Sequence, residues 1–151
     1  MRIRHFALSD LKSVFDLACS ALKERYTPTL FINLQSYWPE GFIVIEDLGK
    51  IRGFILGVTV SRIQARILML AIGADLRRMG YATMLFRQFC MECAKKGIRY
   101  MTLEVRKSNL PALMFYEKMG FQIIGEIERY YTDGEDAYKM HIFLYWNIWS
   151  F

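Results

Sequence analysis

The sequence predicts an α/β domain built on a mixed central sheet with helices on its faces. Three observations carry this. The chain has 151 residues and is 54% hydrophobic, enough to bury a full core as one domain spanning residues 1–151. Its apolar residues recur with a period of two or in short unbroken runs in some stretches, and at three and four in others. The resulting order is strand, two helices, three strands, helix, strand, helix, two strands. The strand, helix, strand, helix passage in its middle demands a parallel pair joined by a right-handed crossover.

The elements follow in order. "RIRHF" is a short opening strand. "SDLKSVFDLACSALKERY" reads as a helix with Ser9 as N-cap and Asp10 in the first turn, stopped by Pro28. A second helical piece around "LFINLQSY" precedes Pro39. "GFIVIED", a turn at "LGK" and "IRGFILGVTV" form a hairpin, and "RILMLAIGA" is a third, buried strand. "DLRRMGYATML" opens a helix that closes at "KKG", with Gly97 just past its end. "YMTLEV" is a strand, "SNLPALMFYEKMG" a short helix, and "FQIIGEIERYY" a strand. A turn at "TDGED" leads to the last strand, "AYKMHIFLYW". The aromatic ending "FLYWNIWSF" reads as a packed or partner-covered end, with a homodimer contact as one expectation.

Bulk properties exclude several classes. The apolar runs are far too short to span a membrane. The N-terminal stretch "MRIRHFALSD" has no apolar signal core, so the expected location is the cytoplasm. The net charge of +5 favours an anionic partner, whether nucleic acid, an acidic surface or a phosphorylated cofactor. The excess is spread out and does not point to specific nucleic acid binding. "CMEC" is formally a C-x-x-C, so redox or zinc chemistry is one reading of Cys90 and Cys93. They share a helix side with Ala82, Leu85, Phe86 and Phe89, and no second pair completes a metal shell. Core packing is therefore the expectation, with no metal site.

The chemistry concentrates in two stretches. Arg77-x-x-Gly80-x-Ala82 follows a buried strand and opens a helix, which supplies free backbone N–H groups and close access for an anion. Alone, it reads equally well as a solvated basic helix start. The second stretch, "LEVRKSNLPALMFYEKMGF", is a strand, a polar turn, a short helix and the start of another strand. Alternation places Tyr100, Thr102 and Glu104 on one face of that strand, where Glu104 either meets a wet cleft or pairs with a cation. Tyr116 falls on the apolar face of its helix, where a tyrosine is ordinarily core.

In order and spacing these stretches strongly resemble the GNAT acetyltransferase superfamily. With "RYYTDGEDAYKM" the likeness narrows to the protein α-amino acetyltransferases, of the RimI type and of the catalytic subunit of N-terminal acetyltransferase A. The resemblance implies a mostly antiparallel sheet of about seven strands with a splayed parallel middle pair, about four helices, and acetyl-CoA as acyl donor. It implies that Leu70, Ala71 and Ile72 form the strand edge that holds the pantetheine arm. Residues Arg77, Arg78, Met79, Gly80, Tyr81 and Ala82 would hold the pyrophosphate, and Asn109 would contact the cofactor arm as well as cap its helix.

It further implies Glu104 as the base, acting through water, and Tyr116 as the acid for the leaving thiolate. Substrate walls would come from Glu24 and Tyr26 and from Tyr130 and Tyr131. A protein or peptide N-terminus is then the expected substrate, with a ribosome or an auxiliary subunit as further expected partners. Two positions depart from the family pattern: Lys23 replaces a common proline, and Arg66 stands where relatives often carry a histidine. The competing readings are acetylation of a lysine side chain or small amine, whose ε-amine pKa near 10.4 demands a stronger base, and a non-catalytic acyl-CoA-binding module.

Overall fold

A computed structural model describes residues 1–144. The described chain forms β1 (Arg2–His5), α1 (Leu11–Ala21), α2 (Pro28–Tyr37), β2 (Phe42–Asp47), β3 (Lys50–Thr59) and β4 (Gln64–Ile72). It continues with α3 (Tyr81–Lys96), β5 (Tyr100–Arg106), α4 (Leu110–Met119), β6 (Gln122–Ile127) and β7 (Ala137–Phe143). The seven strands make one sheet in the order β1-β2-β3-β4-β5-β7-β6. Every pairing is antiparallel except β4 with β5. The mixed fold and its parallel middle pair are as the sequence predicts.

Strand alternation sorts the core into two layers. Phe42, Val44, Phe54, Leu56, Met69 and Ala71 face α1 and α2, around the fully buried Phe31. Ile43, Ile45, Ile55, Ile67, Leu103 and Met140 face the other way, against α3 and α4. Cys90 and Cys93 lie in this second layer with Leu85, Phe86 and Phe89. Burial pushes the Cys90 thiol up to about 12 and raises Cys93 further. They pack as small hydrophobes, as expected.

The parallel pair is short. β4 and β5 are in register only from Gln64 opposite Tyr100 to Ile67 opposite Leu103. At the same point β4 carries an extra residue against β3: Met69 faces Leu56 and Ile67 faces Gly57, which leaves Leu68 as a bulge. A bulge bends its strand and raises the local twist, and here it coincides with the parting of the two strands. Gly57, across from it, admits no side chain, because a Cβ there would lie 2.3 Å from the Phe89 ring. Gly57→Ala is therefore expected to destabilise the fold by about 1–3 kcal/mol, read as a lowered denaturant midpoint at unchanged m-value. An unchanged midpoint would refute this packing.

Four boundaries differ from the sequence expectations. The first helix is entered through a 3-10 turn, Leu8–Asp10, and Ser9 makes no capping bond. Asp10 does that work instead: its carboxylate accepts the Ala7 N–H and the Arg4 guanidinium. The helix ends at Ala21, with Leu22 extended, rather than running to Tyr26. Pro28 starts α2 rather than stopping α1, in line with proline's preference for the first helical turn. Finally, β6 stops at Ile127, and Arg129 turns the chain with a positive φ of 49°. Tyr130 and Tyr131 thus belong to the loop before β7, not to a strand. The expectation for "FLYWNIWSF" falls mostly on residues 145–151, outside the described residues, and the dimer contact with it. No helix among the described residues is long and apolar enough to cross a membrane.

Candidate active site

Where β4 leaves β5, two adjoining clefts open. The inner one, of about 330 Å³, is lined by Leu68, Met69 and Leu70 of β4, Glu104 of β5, and Asn109, Ala112 and Tyr116 at and within α4. The outer one, of about 480 Å³, is lined by Leu30 and Leu34 of α2, by Arg66, and by Tyr130 and Tyr131. Glu24, Tyr26, Ile67, Leu68, Met69, Glu104 and Tyr131 border both. Glu104 therefore stands where the two meet.

The Glu104 side chain is 9% exposed, and both sequence alternatives for it hold together. It borders the clefts, and its Oε2 accepts the Arg66 Nε at 3.0 Å. Its other carboxylate oxygen has no hydrogen-bond partner among the described residues. Arg66 also donates from Nη2 to the Tyr130 hydroxyl at 2.7 Å. Arg66 thus ties β4 to the carboxylate and to the outer wall.

Tyr116 is 8% exposed and packs edge-on against Phe115 and Phe121. It is at once a core residue and a lining residue of the inner cleft. Burial, with the Tyr131 phenol nearby, raises its pKa well above that of a free phenol, so it carries its proton at neutral pH. Asn109 accepts the Ala112 N–H at 3.2 Å and so caps α4 while bordering the cleft.

Beyond Ile67 the β5-facing edge of β4 lacks a partner strand, which leaves its main chain free for a ligand. Leu70 reaches the inner cleft, whereas the Ala71 and Ile72 side chains are buried, so these two can offer only backbone. Residues Arg77–Gly80 lie past the cleft on the surface. The loop leading to them is tied to β3: Gly73 N–H donates to Arg52 C=O, and Arg52 ion-pairs with Asp75. Arg77 turns its Nε back onto the Ile72 carbonyl at 3.2 Å, while Arg78 adopts a φ of 64°.

Gly80 has a φ of 85°, and a Cβ placed on it would meet nothing within 4 Å. The backbone here curves to aim the first amides of α3 outward over open space. A helix start left open in this way can take an anion on its free N–H groups. The residues present therefore fit a phosphorylated cofactor with a long arm: an open, basic helix start at Arg77–Ala82 and an unpaired strand edge beyond Ile67 that borders the inner cleft.

Arg106 is the residue that sequence reasoning misses. It follows Glu104 by two on β5, so it shares that face, and it is 7% exposed. It donates to Glu24 at 2.9 Å, to Asp133 at 2.8 Å and to Glu135 at 3.0 Å, and its guanidinium lies 4.1 Å from the Tyr131 ring centre. Glu24 also accepts the Thr132 N–H and hydroxyl at 3.1 Å each. One buried cation thus joins the loop after α1 to the loop before β7, and Glu24 is held between them rather than solvated. The signal in the sequence was a charge in phase with Glu104 on a central strand, facing the acidic run "TDGED".

Arg106→Met leaves these carboxylates facing one another. It is expected to lower the denaturant midpoint and to raise KM for the amine substrate about tenfold or more, with KM for the acyl donor changing little. Equal changes in both KM values would show that Arg106 does not act through the loops.

A parallel pair that parts after four residue pairs, an open helix start at Gly80, and a buried carboxylate and phenol lining one cleft suit the class of acyl-CoA-dependent N-acyltransferases. The chain belongs to the acetyltransferase (GNAT) family, whose model matches residues 11–121, and it is an acetyl-CoA-dependent N-acetyltransferase. It is 33% identical to a putative ribosomal protein bS18-alanine N-acetyltransferase of Bacillus subtilis, over 93% of each chain. It is 31% identical to an N-alpha-acetyltransferase of Sulfurisphaera tokodaii, over 92% of this chain and 90% of that one. Among solved structures, Ard1 from Thermoplasma volcanium superposes with a TM-score of 0.93 at 38% identity, covering 95% of this chain and 97% of that one.

Proposed function

We propose that the protein acetylates the α-amino group of protein N-termini. The observation that carries this reading is the outer cleft with its three tyrosines. Its mouth is bounded by Tyr130 and Tyr131, stacked edge to face at 5.0 Å, and by Tyr26 and a fixed Glu24. Such a mouth suits a thin, extended chain end better than a side chain borne on a folded surface. The names of the relatives in Bacillus and Sulfurisphaera point the same way.

Acetyl-CoA supplies an acyl group activated as a thioester. The chain's own residues do the rest. An α-amine with a pKa of about 7.7–8 is largely protonated at neutral pH, and Glu104 accepts that proton, directly or through water. As the C–N bond forms and the C–S bond breaks, Tyr116, kept protonated by burial, donates to the departing sulfur and takes back the second proton that the acylated nitrogen sheds. Arg66 holds the carboxylate in place, and Arg106 holds the walls. Neither buried cysteine borders the clefts, so no acyl-cysteine is invoked, and attack is direct within a ternary complex. The reading also places the protein in the cytoplasm, working on protein N-termini alone or with an auxiliary or ribosomal partner.

The test is mass spectrometry of a peptide panel incubated with acetyl-CoA and the purified protein. The panel holds free N-termini beginning Ala, Ser, Thr, Met and Met-Leu, beside an N-blocked peptide with an internal lysine. Acetyl gain confined to free N-termini is expected. Gain only on the blocked lysine peptide would replace this reading with ε-amine acetylation.

A further inference from the structure

We propose that Arg66 is a specificity-determining residue, which selects N-termini whose second residue is aspartate or glutamate. The inference rests on the α-amine reading above and goes beyond it, because it concerns the cation that lines the outer cleft beside Glu104.

The lining of the outer cleft divides by chemistry. Leu30 and Leu34 of α2 give an apolar part, while Arg66, with the Tyr130 hydroxyl, gives a cationic and polar part. Successive side chains of an extended peptide point to opposite sides, so a bound chain end offers one side chain to each part. The Arg66 side chain remains 35% exposed. Its Nε serves Glu104 and its Nη2 serves Tyr130, but Nη1 has no partner among the described residues. A guanidinium with a free N–H edge at a cleft wall matches a carboxylate, which accepts charge-assisted bonds in its plane.

The register of the peptide follows from Glu104. An acidic first side chain would compete with Glu104 for the same guanidinium, beside the amine that Glu104 must deprotonate. The first side chain therefore goes to Leu30 and Leu34, and the second reaches Nη1.

The experiment compares initial rates on peptides of identical tail beginning Met-Glu, Met-Gln and Met-Lys, together with Glu-Gln, for the wild type, Arg66→Gln and Arg66→Glu. The blocked lysine peptide serves as a separate lane. The wild type should favour Met-Glu over Met-Gln by about tenfold in kcat/KM, the lower end for a charge-assisted bond at a partly exposed site. The ratio should shrink as salt is raised. Within Arg66→Gln it should fall to near one, and within Arg66→Glu it should invert towards Met-Lys. Because each ratio is taken within one variant, any loss of rate from a loosened Glu104 cancels.

Equal wild-type rates on Met-Glu and Met-Gln would overturn the proposal, as would a preference that survives Arg66→Gln, or a preference for acid at the first residue. All of these leave the α-amine reading standing. Acetylation of the blocked lysine peptide alone would instead remove that reading.

Discussion

Glu104→Gln is expected to lower kcat at neutral pH by about 10²–10⁴-fold, the range for loss of a positioned general base. The amide keeps an oxygen that can accept the Arg66 Nε, so the change removes charge and basicity while preserving the geometry around the 3.0 Å contact. KM for acetyl-CoA should move little. The pH dependence is the sharper readout. As pH rises past the α-amine pKa of about 7.7–8, the substrate arrives already deprotonated and the need for a base disappears. The variant's rate should therefore climb towards that of the wild type between pH 7 and 9. A wild-type to variant ratio that stays flat over this range would mean that Glu104 serves structure or binding and not proton removal.

Gly80→Val is expected to remove measurable acetyl-CoA binding, a loss of at least about 100-fold in affinity, with the fold retained. Two effects act at this position. The φ of 85° is one that a β-branched residue adopts only with strain, of order 1–3 kcal/mol. The space that the new side chain would enter is open in the protein, so the volume is lost from the ligand's side alone. Gly80→Asn separates the two effects, since asparagine tolerates the left-handed region yet still fills the cradle. Calorimetric titration with acetyl-CoA, beside thermal unfolding, reads both. Loss of binding in the asparagine variant at near-native stability supports the cradle; wild-type affinity in both variants would remove it.

Much of this architecture could be read from the residues because periodicity and punctuation agreed. The alternating runs became strands, Asn109 became the cap of α4, and Gly97 closed α3. The order of elements forced a parallel pair, and one is present. What escaped was set by contacts distant in sequence. Asp10 outcompeted Ser9 as the anchor of the first helix because Arg4 and Glu46, on neighbouring strands, complete its network. Tyr130 and Tyr131 extended a β-like pattern, yet Arg129 breaks the strand by donating its N–H to Asp136. Arg106 and its three carboxylates span more than 80 positions of chain between Arg106 and Glu24, and no local window contains them. Arg66 was legible as a departure but not as a partner of Glu104, since the two lie 38 positions apart.

The short register between β4 and β5 has a mechanical side. Four residue pairs are all that stitch the half-sheet β1 to β4 onto the half-sheet of β5, β7 and β6, and the clefts straddle that seam. A ligand seated there acts as a keystone, bearing load between two halves that the backbone alone joins weakly. Its binding energy then enters the cohesion of the whole molecule: at a hundred times its Kd, acetyl-CoA adds about 2.7 kcal/mol to resistance against unfolding. Amides from Leu68 to Ile72 that face the seam are therefore expected to exchange faster in the empty protein than in the loaded one, a difference that hydrogen exchange would read. By the same linkage, the resistance of the protein to unfolding is expected to rise with the acetyl-CoA concentration around it.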